Sequence, residues 1–301
     1  MESKFADEDD TPHASTWSQD RRLKFIDFRL RWEGRINRTD LTSFFDISMP
    51  QASADLSKYL EAAPFNLKYD GSLKTYVRSP TFEPIFARSA TKTFLNELQA
   101  VASGVMEPKS TFIGSMPELG VVPIPARSLD GDALSVLLAG IREHREVSLL
   151  YQGMKRPNPV ERRISPHALA FDGFRWHVRA FCHLREKFQD FVIARMINVK
   201  LGEVSAITGL GDIEWENVVP LVLAAHPALS PTAKKAVQMD YGMVNGTVTL
   251  HCRQALLFYA LRQLRLEIVE DLSASAKQQI ILLNRTQLQT YINSSGQASS
   301  T

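Results

Sequence analysis

The chain has 301 residues, 44% of them hydrophobic, and a net charge of +2. That length exceeds what one hydrophobic core organises, so two or three domains of roughly 70 to 100 residues each are expected. No apolar run approaches the ~20 residues of a membrane helix, and the acidic opening MESKFADEDD is the opposite of a secretory leader, so a cytoplasmic protein is expected.

Cys182 and Cys252 are too few and too far apart to staple the fold. Each neighbours a histidine, but zinc sites bring closely spaced ligand pairs on both sides of a loop, so buried thiols are expected rather than a metal. There is no P-loop and no G-x-G-x-x-G, and no cofactor is expected.

Met1 to Thr16 is polar, acidic and aperiodic, which predicts a disordered tail. From Trp17 onward Leu23, Ile26 and Leu30 recur at three and four, with Phe25, Phe28 and Trp32 widening the stripe, and Gly34 ends this first helix. Arg21 to Arg38 carries seven Arg or Lys against two acids, a local basic character that the net charge hides.

Asn37 caps a second helix, with Asp40 in the capping-box position and Leu41, Phe44 and Phe45 as its apolar face. Ser48 caps a third, with Pro50 in the first turn and Gln51 closing an S-x-x-Q box; Ala52, Leu56, Tyr59, Leu60 and Ala63 form its core stripe. FNLKYDGSLKTYV then alternates around Asp70-Gly71, the signal of a tight hairpin. Three helices and a hairpin in this order predict a winged helix-turn-helix over residues 17–80.

If the third helix buries that stripe, Gln51, Ala54, Ser57, Lys58 and Glu61 point away from the core, on the face that would enter a major groove. Gln51 suits adenine, Ala54 a thymine methyl, and Ser57 and Lys58 bases or phosphates. Lys68 and Lys74 on the wing, with Arg78 beyond it, would grip the backbone. Asn37, Thr39, Ser48, Ser53 and Tyr76 complete the candidate DNA-binding set. Polar faces are often merely solvated and winged helices also dimerise, but caps, helix order, polar face and basic hairpin agree on DNA.

Residues 81–129 read as a helical connector. TKTFLNELQAVAS is amphipathic, and Gly104 to Arg127 is too proline-rich for regular elements. Asp130 caps a helix with Leu134, Leu137, Leu138 and Ile141 on one face. It leads into residues 130–205, where Val147 to Glu203 alternates as short strands carrying Arg163, His167, Arg175, Trp176, His177, Arg179 and Arg195. Cations and aromatics on alternating positions predict a small barrel with a basic, ring-lined mouth.

In the last region, 206–292, QALLFYALRQLRLE is a helix with an apolar surface too broad for one small domain to cover. A sheet on one side and a partner subunit on the other, or deep burial, is expected. Residues 293–301 read as a Ser-rich tail.

The central stretch resembles a WYL domain, an Sm-like small β-barrel. The parts are Tyr151 and Gly153, RRISPH (Arg162 to His167), FDGFRWHV (Phe171 to Val178) and FQDFVIARM (Phe188 to Met196). The namesake tripeptide is here Trp176, His177 and Val178, so its tyrosine and leucine are replaced.

With AAHPAL (Ala224 to Leu229) and QALLFYALRQLRL (Gln254 to Leu266), the resemblance extends from Trp17 to Leu283. It is to WYL-domain transcriptional regulators of the BrxR and CapW type, which control anti-phage defence loci. It implies an α+β chain with a C-terminal α/β dimerisation domain: a homodimer on an inverted-repeat operator, repressing its own defence operon until a ligand reaches the barrel. The ligand-binding residues it implies are Tyr151, Arg163, Ser165, His167, Trp176, His177, Arg179 and Arg195. Guanidinium groups and aromatic planes suit a nucleotide or single-stranded nucleic acid. Repression and activation are not distinguished by sequence. An enzyme using His167, His177 and His183 is disfavoured, because Asp172 and Asp190 are lone acids with no magnesium-holding cluster.

Overall fold

A computed structural model describes residues 12–86, 90–123, 125, 128–266 and 278–298. The chain forms two compact units, Met1–Ile124 and Pro125–Thr301. Of the two expected tails, residues 1–11 and 299–301 lie outside the described residues, whereas residues 12–16 and 293–298 are helical. Among the described residues no helix is long and apolar enough to cross a membrane, and no cluster of His, Cys, Asp and Glu is placed to hold a metal ion.

The first unit contains α1 (Pro12–Glu33), β1 (Arg35–Ile36), α2 (Arg38–Phe45), α3 (Met49–Ala62), β2 (Leu67–Asp70), β3 (Thr75–Arg78) and α4 (Thr91–Ala102). Gly34, at φ 73°, turns the chain out of α1 into β1, which pairs with β3 and makes the wing three-stranded. Asp40 accepts from the Asn37 amide at 2.7 Å, and the Ser48 hydroxyl accepts from the Gln51 amide at 3.3 Å.

Three local expectations are corrected. The Gln51 side chain does not close a box on Ser48; its amide nitrogen donates to Asp55 at 3.1 Å, a stronger charged acceptor. Asp70-Gly71 is not a two-residue turn. Pairing of Asp70 with Thr75 leaves a four-residue loop in which Asp70 accepts from the Ser72 and Leu73 amides and Lys74, not Gly71, adopts positive φ. Leu60 is 40% exposed, and Asp55 takes a buried position on the stripe instead.

An aromatic cluster fills the core of this unit: Phe25 lies 4.8 Å from Phe44 and 5.2 Å from Phe45, ring to ring. Phe112, from the proline-rich segment, inserts edge-on at 5.2 Å from Phe25 and is 1% exposed. Phe94 of α4 stacks on Trp32 at 4.3 Å. Packing therefore continues well past residue 80, and part of the expected connector is core.

Below the cluster the buried Asp27 carboxylate accepts from the Tyr59 hydroxyl at 2.7 Å and from the Ile85 and Phe86 amides at 3.1 and 3.3 Å. Burial, then the bond to Asp27, pushes the Tyr59 phenol well above its ordinary pKa. Tyr59→Phe removes one donor to Asp27 and the acceptor used by Asn66 at 3.0 Å. The expected destabilisation is about 1–3 kcal/mol, read as a lower urea midpoint at unchanged slope.

In the second unit Asp130 caps α5 (Gly131–Glu143) by accepting from the Asp132 amide at 3.0 Å. Then follow β4 (Arg145–Tyr151), β5 (Val160–Phe171), β6 (Trp176–Cys182), β7 (Lys187–Val192) and β8 (Met196–Val204), an antiparallel sheet in the order β7-β6-β5-β4-β8. Val147, Leu149, Ile164, Val178, Ala180 and Phe191 pack with Leu137 of α5 into its core.

The expected barrel is not closed: β7 and β8, consecutive in sequence, lie at opposite edges without a ladder between them. The groups at the seam are used otherwise. The Val192 amide donates to the Tyr151 hydroxyl at 3.1 Å, and the Gln152 amide donates to the Arg195 carbonyl at 3.0 Å.

Beyond it come α6 (Ile213–Glu216), β9 (Val218–Ala225), α7 (Pro231–Asp240), β10 (Thr247–Arg253), α8 (Leu257–Gln263), β11 (Ile280–Leu282) and α9 (Arg285–Ala298), with sheet order β10-β9-β11. Leu257 and Leu261 of α8 are buried in this core. Tyr259, from the other side of α8, meets His177 of β6 at 5.0 Å. The broad apolar helix is thus sandwiched between its own sheet and the preceding one.

Candidate nucleic-acid interface and effector cavity

On α3, Ala54, Ser57, Lys58 and Glu61 are exposed, while Gln51 and Ser53 are half-buried. The helix is fixed from behind by Asp55, whose carboxylate is wholly buried and grips Arg22 of α1 through two bonds of 2.6 and 3.2 Å. Ser53 donates to the Met49 carbonyl at 3.0 Å, and Lys58 reaches back to Gln19.

Thr39 and Ser48 are exposed at the starts of α2 and α3, with Asn37 half-buried beside them. Arg38, not among the expected contacts, is exposed in the first turn of α2 and approaches Ser53 at 3.4 Å. On the wing Lys68 and Lys74 are exposed, and Tyr76 packs on Tyr69 at 5.1 Å. Arg78 donates to the Arg31 carbonyl at 3.0 Å and so ties the wing to α1.

In the second unit a cavity of about 990 Å³ opens among residues 153–156 of the β4–β5 loop, the β5–β6 turn, β7 and α8. Of the eight residues expected there, Tyr151, His177 and Arg195 line it. The other five do not. Arg163 faces solvent beside Glu146 at 3.5 Å, and Ser165 bonds His183 at 2.8 Å and Ser205 at 2.7 Å. His167 pairs with Asp212 at 3.0 Å, Trp176 packs on Phe171 at 4.9 Å, and Arg179 is 1% exposed within an ion-pair cluster.

The cavity's cations are instead Lys155, Arg156, Arg162, Arg175, Arg185, Arg262 and Arg265 together with Arg195, against the carboxylates of Asp172 and Asp190. Arg162 is the clearest case. It lies opposite Leu149 and on the face of Ile164, so the strand's alternation turns it inward and Arg163 outward. Burial first lowers its guanidinium pKa, and the nearby Arg185 and Arg156 act in the same direction. An anion in the cavity would relieve that repulsion.

Burial alone would raise the Asp172 carboxyl, but bonds from His177 Nε2 at 3.0 Å and from the Phe174 and Arg175 amides hold it at about 2. Asp212 is likewise held at about 2, with bonds from Arg179 and His167 outweighing burial. Asp190 shifts upward, chiefly through burial, despite Arg179 at 3.3 Å. A carboxyl depressed in the folded state stabilises above its unfolded pKa and loses that contribution as pH falls through the folded value. Each of Asp172 and Asp212, lowered from 3.8 to about 2, contributes roughly 2 kcal/mol. Stability in urea is therefore expected to fall steeply between about pH 4 and pH 2, and Asp212→Asn to flatten that limb. Asp190, with its raised value, contributes in the opposite sense.

A winged helix followed by a cation-rich five-stranded sheet and an α/β domain is the layout of a multidomain transcriptional regulator. Residues 18–100 match the BrxR transcriptional regulator winged helix-turn-helix domain, 132–201 the WYL domain, and 218–288 the BrxR transcriptional regulator C-terminal dimerization domain. The chain is similar to the DNA-binding transcriptional repressor CapW of Stenotrophomonas maltophilia, 44% identical over 92% of this chain and 93% of the relative. The proteins of that name from Escherichia coli (strain KTE188) and Pseudomonas aeruginosa are 40% and 39% identical, over 90% and 97% of this chain and 91% and 98% of theirs. The chain belongs to the CapW and BrxR family of WYL-domain transcriptional regulators.

Proposed function

We propose that the protein is a homodimeric repressor that binds an inverted repeat in the control region of its own anti-phage defence operon. It lets go when a nucleotide or single-stranded nucleic acid enters the basic cavity. The observation that carries the effector half is the cavity itself, where eight cations face two carboxylates. The DNA half is supported by the exposed small polar face of α3 between the Arg38 turn and the lysines of the wing, and by repressor relatives that match nearly the whole chain.

A gel-shift titration on the upstream region at two salt concentrations tests the reading. Specific binding to a palindrome with half-sites about one helical turn or a multiple apart is expected; binding no tighter than to random duplex overturns it. Gln51→Ala is expected to relax preference at one base position by about 1–3 kcal/mol, whereas Lys74→Ala weakens all duplexes alike and lowers the salt slope by about 1.

A further inference from the structure

We infer that Asp55, a buried residue that never meets the duplex, decides which purine Gln51 reads: it fixes the polarity of the Gln51 amide so that adenine is accepted and guanine refused. The inference rests on the DNA reading above and adds what sets one letter of the operator.

The end of a glutamine carries an oxygen and a nitrogen of nearly equal size, so a half-rotation exchanges acceptor for donor. One way round, its edge matches the N6 donor and N7 acceptor of adenine. The other way round, its nitrogen serves the O6 and N7 acceptors of guanine. A freely turning glutamine therefore separates the two purines poorly.

Gln51 does not turn freely. Its Nε2 donates at 3.1 Å to Asp55, one helical turn further along α3, and the Asp55 side chain has no exposure. An ionised carboxylate accepts and never donates, so the atom that meets it is the nitrogen. Turning the amide over sets its oxygen against a buried anion and forfeits a charge-assisted bond. The oxygen stays furthest from that anion when the hydrogen trans to it makes the bond. The oxygen and the remaining hydrogen then form the free edge, which is the pair that adenine requires.

Gln19 of α1 is sorted in the same way. Its Nε2 donates to Asp55 at 3.4 Å, and its oxygen accepts from Lys58. Arg22 adds two bonds of 2.6 and 3.2 Å, so with Gln51 and Gln19 four donors occupy the carboxylate and hold it in place. Asp55 is thus a positioning residue that acts on the base through Gln51.

The test is a selection by the full-length protein from a randomised duplex pool, followed by competition at the position whose preference Gln51→Ala removes. The parent is expected to select adenine there, over guanine by about 10- to 100-fold. Replacing that adenine by 7-deazaadenine, which lacks the N7 acceptor, or by purine, which lacks the N6 amino group, is expected to weaken binding. Arg22→Met with Asp55→Leu removes the lock without orphaning a charge, and its adenine-to-guanine ratio is expected to fall below about 3-fold at that position alone.

A residue that merely pins α3 to α1 would weaken every sequence alike and leave the ratio as in the parent; that result overturns the inference. Equal parental affinity for adenine and guanine, or selection of another base at that position, overturns it whatever the double variant does. If Gln51→Ala removes no preference, the inference falls and the repressor reading stands. If the parent prefers no sequence over random duplex, both fall.

Discussion

Replacing Arg179 with alanine is expected to lower the stability of the C-terminal unit by about 3–5 kcal/mol, because it strips a buried carboxylate cluster of its counter-charge. The guanidinium holds Asp212 through bonds of 2.7 and 2.9 Å, Glu214 at 2.9 Å and Asp190 at 3.3 Å. Burial alone would lower the pKa of Arg179, but these partners raise it above the ordinary value, so the cation is permanent. Asp212 in turn accepts from the Trp215 amide at the start of α6, so the pair ties the chain leaving the WYL sheet to β6. The measurement is a urea midpoint together with release from operator by the proposed effector. Arg179→Met with Asp212→Asn is expected to recover part of the loss, since removing both charges is milder than orphaning one. Parental stability in Arg179→Ala with loss of the effector response would assign this guanidinium to the ligand instead.

Arg22→Ala is expected to be equally severe in the N-terminal unit, again about 3–5 kcal/mol, and to abolish operator binding. Asp55 sits on the buried side of the recognition helix, and its carboxylate has no exposure. Gln51 and Gln19 donate to it as well, but both are neutral, and Arg22 supplies the balancing charge. Without that cation α3 shifts to bring Asp55 to water, which displaces the exposed face of Ala54 and Ser57 proposed to meet the groove. Arg22→Met with Asp55→Leu is the control. It is expected to restore the melting temperature, and a double variant no more stable than Arg22→Ala would place the role of the pair elsewhere.

Local signals in the sequence were legible where the physics is local. Asn37, Ser48 and Asp130 each mark a helix start seen in the structure, and Gly34 an end, because caps satisfy amides a few residues away. Strand β1 went unseen because two residues carry no alternation, and it exists only through pairing with β3. The proposed effector site was half legible. A pair such as Arg162-Arg163 contains one inward and one outward cation, and only the pairing of Leu149 with Arg162 says which is which. Arg179 reads as a ligand contact until Asp212, 33 residues away, is seen to occupy it. Arg262 in α8 and Arg265 just beyond its end were hidden by the apolar surface of that helix, which points to packing.

Phe112 bears on how the reading head could be moved to another protein. A fragment cut at the end of the wing would leave a ring-sized hole among Phe25, Phe28, Phe44 and Phe45 and would clump through the opening. The smallest transplantable piece therefore runs through the plug to Gly114, whose amide is held by Glu33 at 2.6 Å. Hybrids joined further upstream would fail through a missing stopper, whatever DNA they were built to recognise.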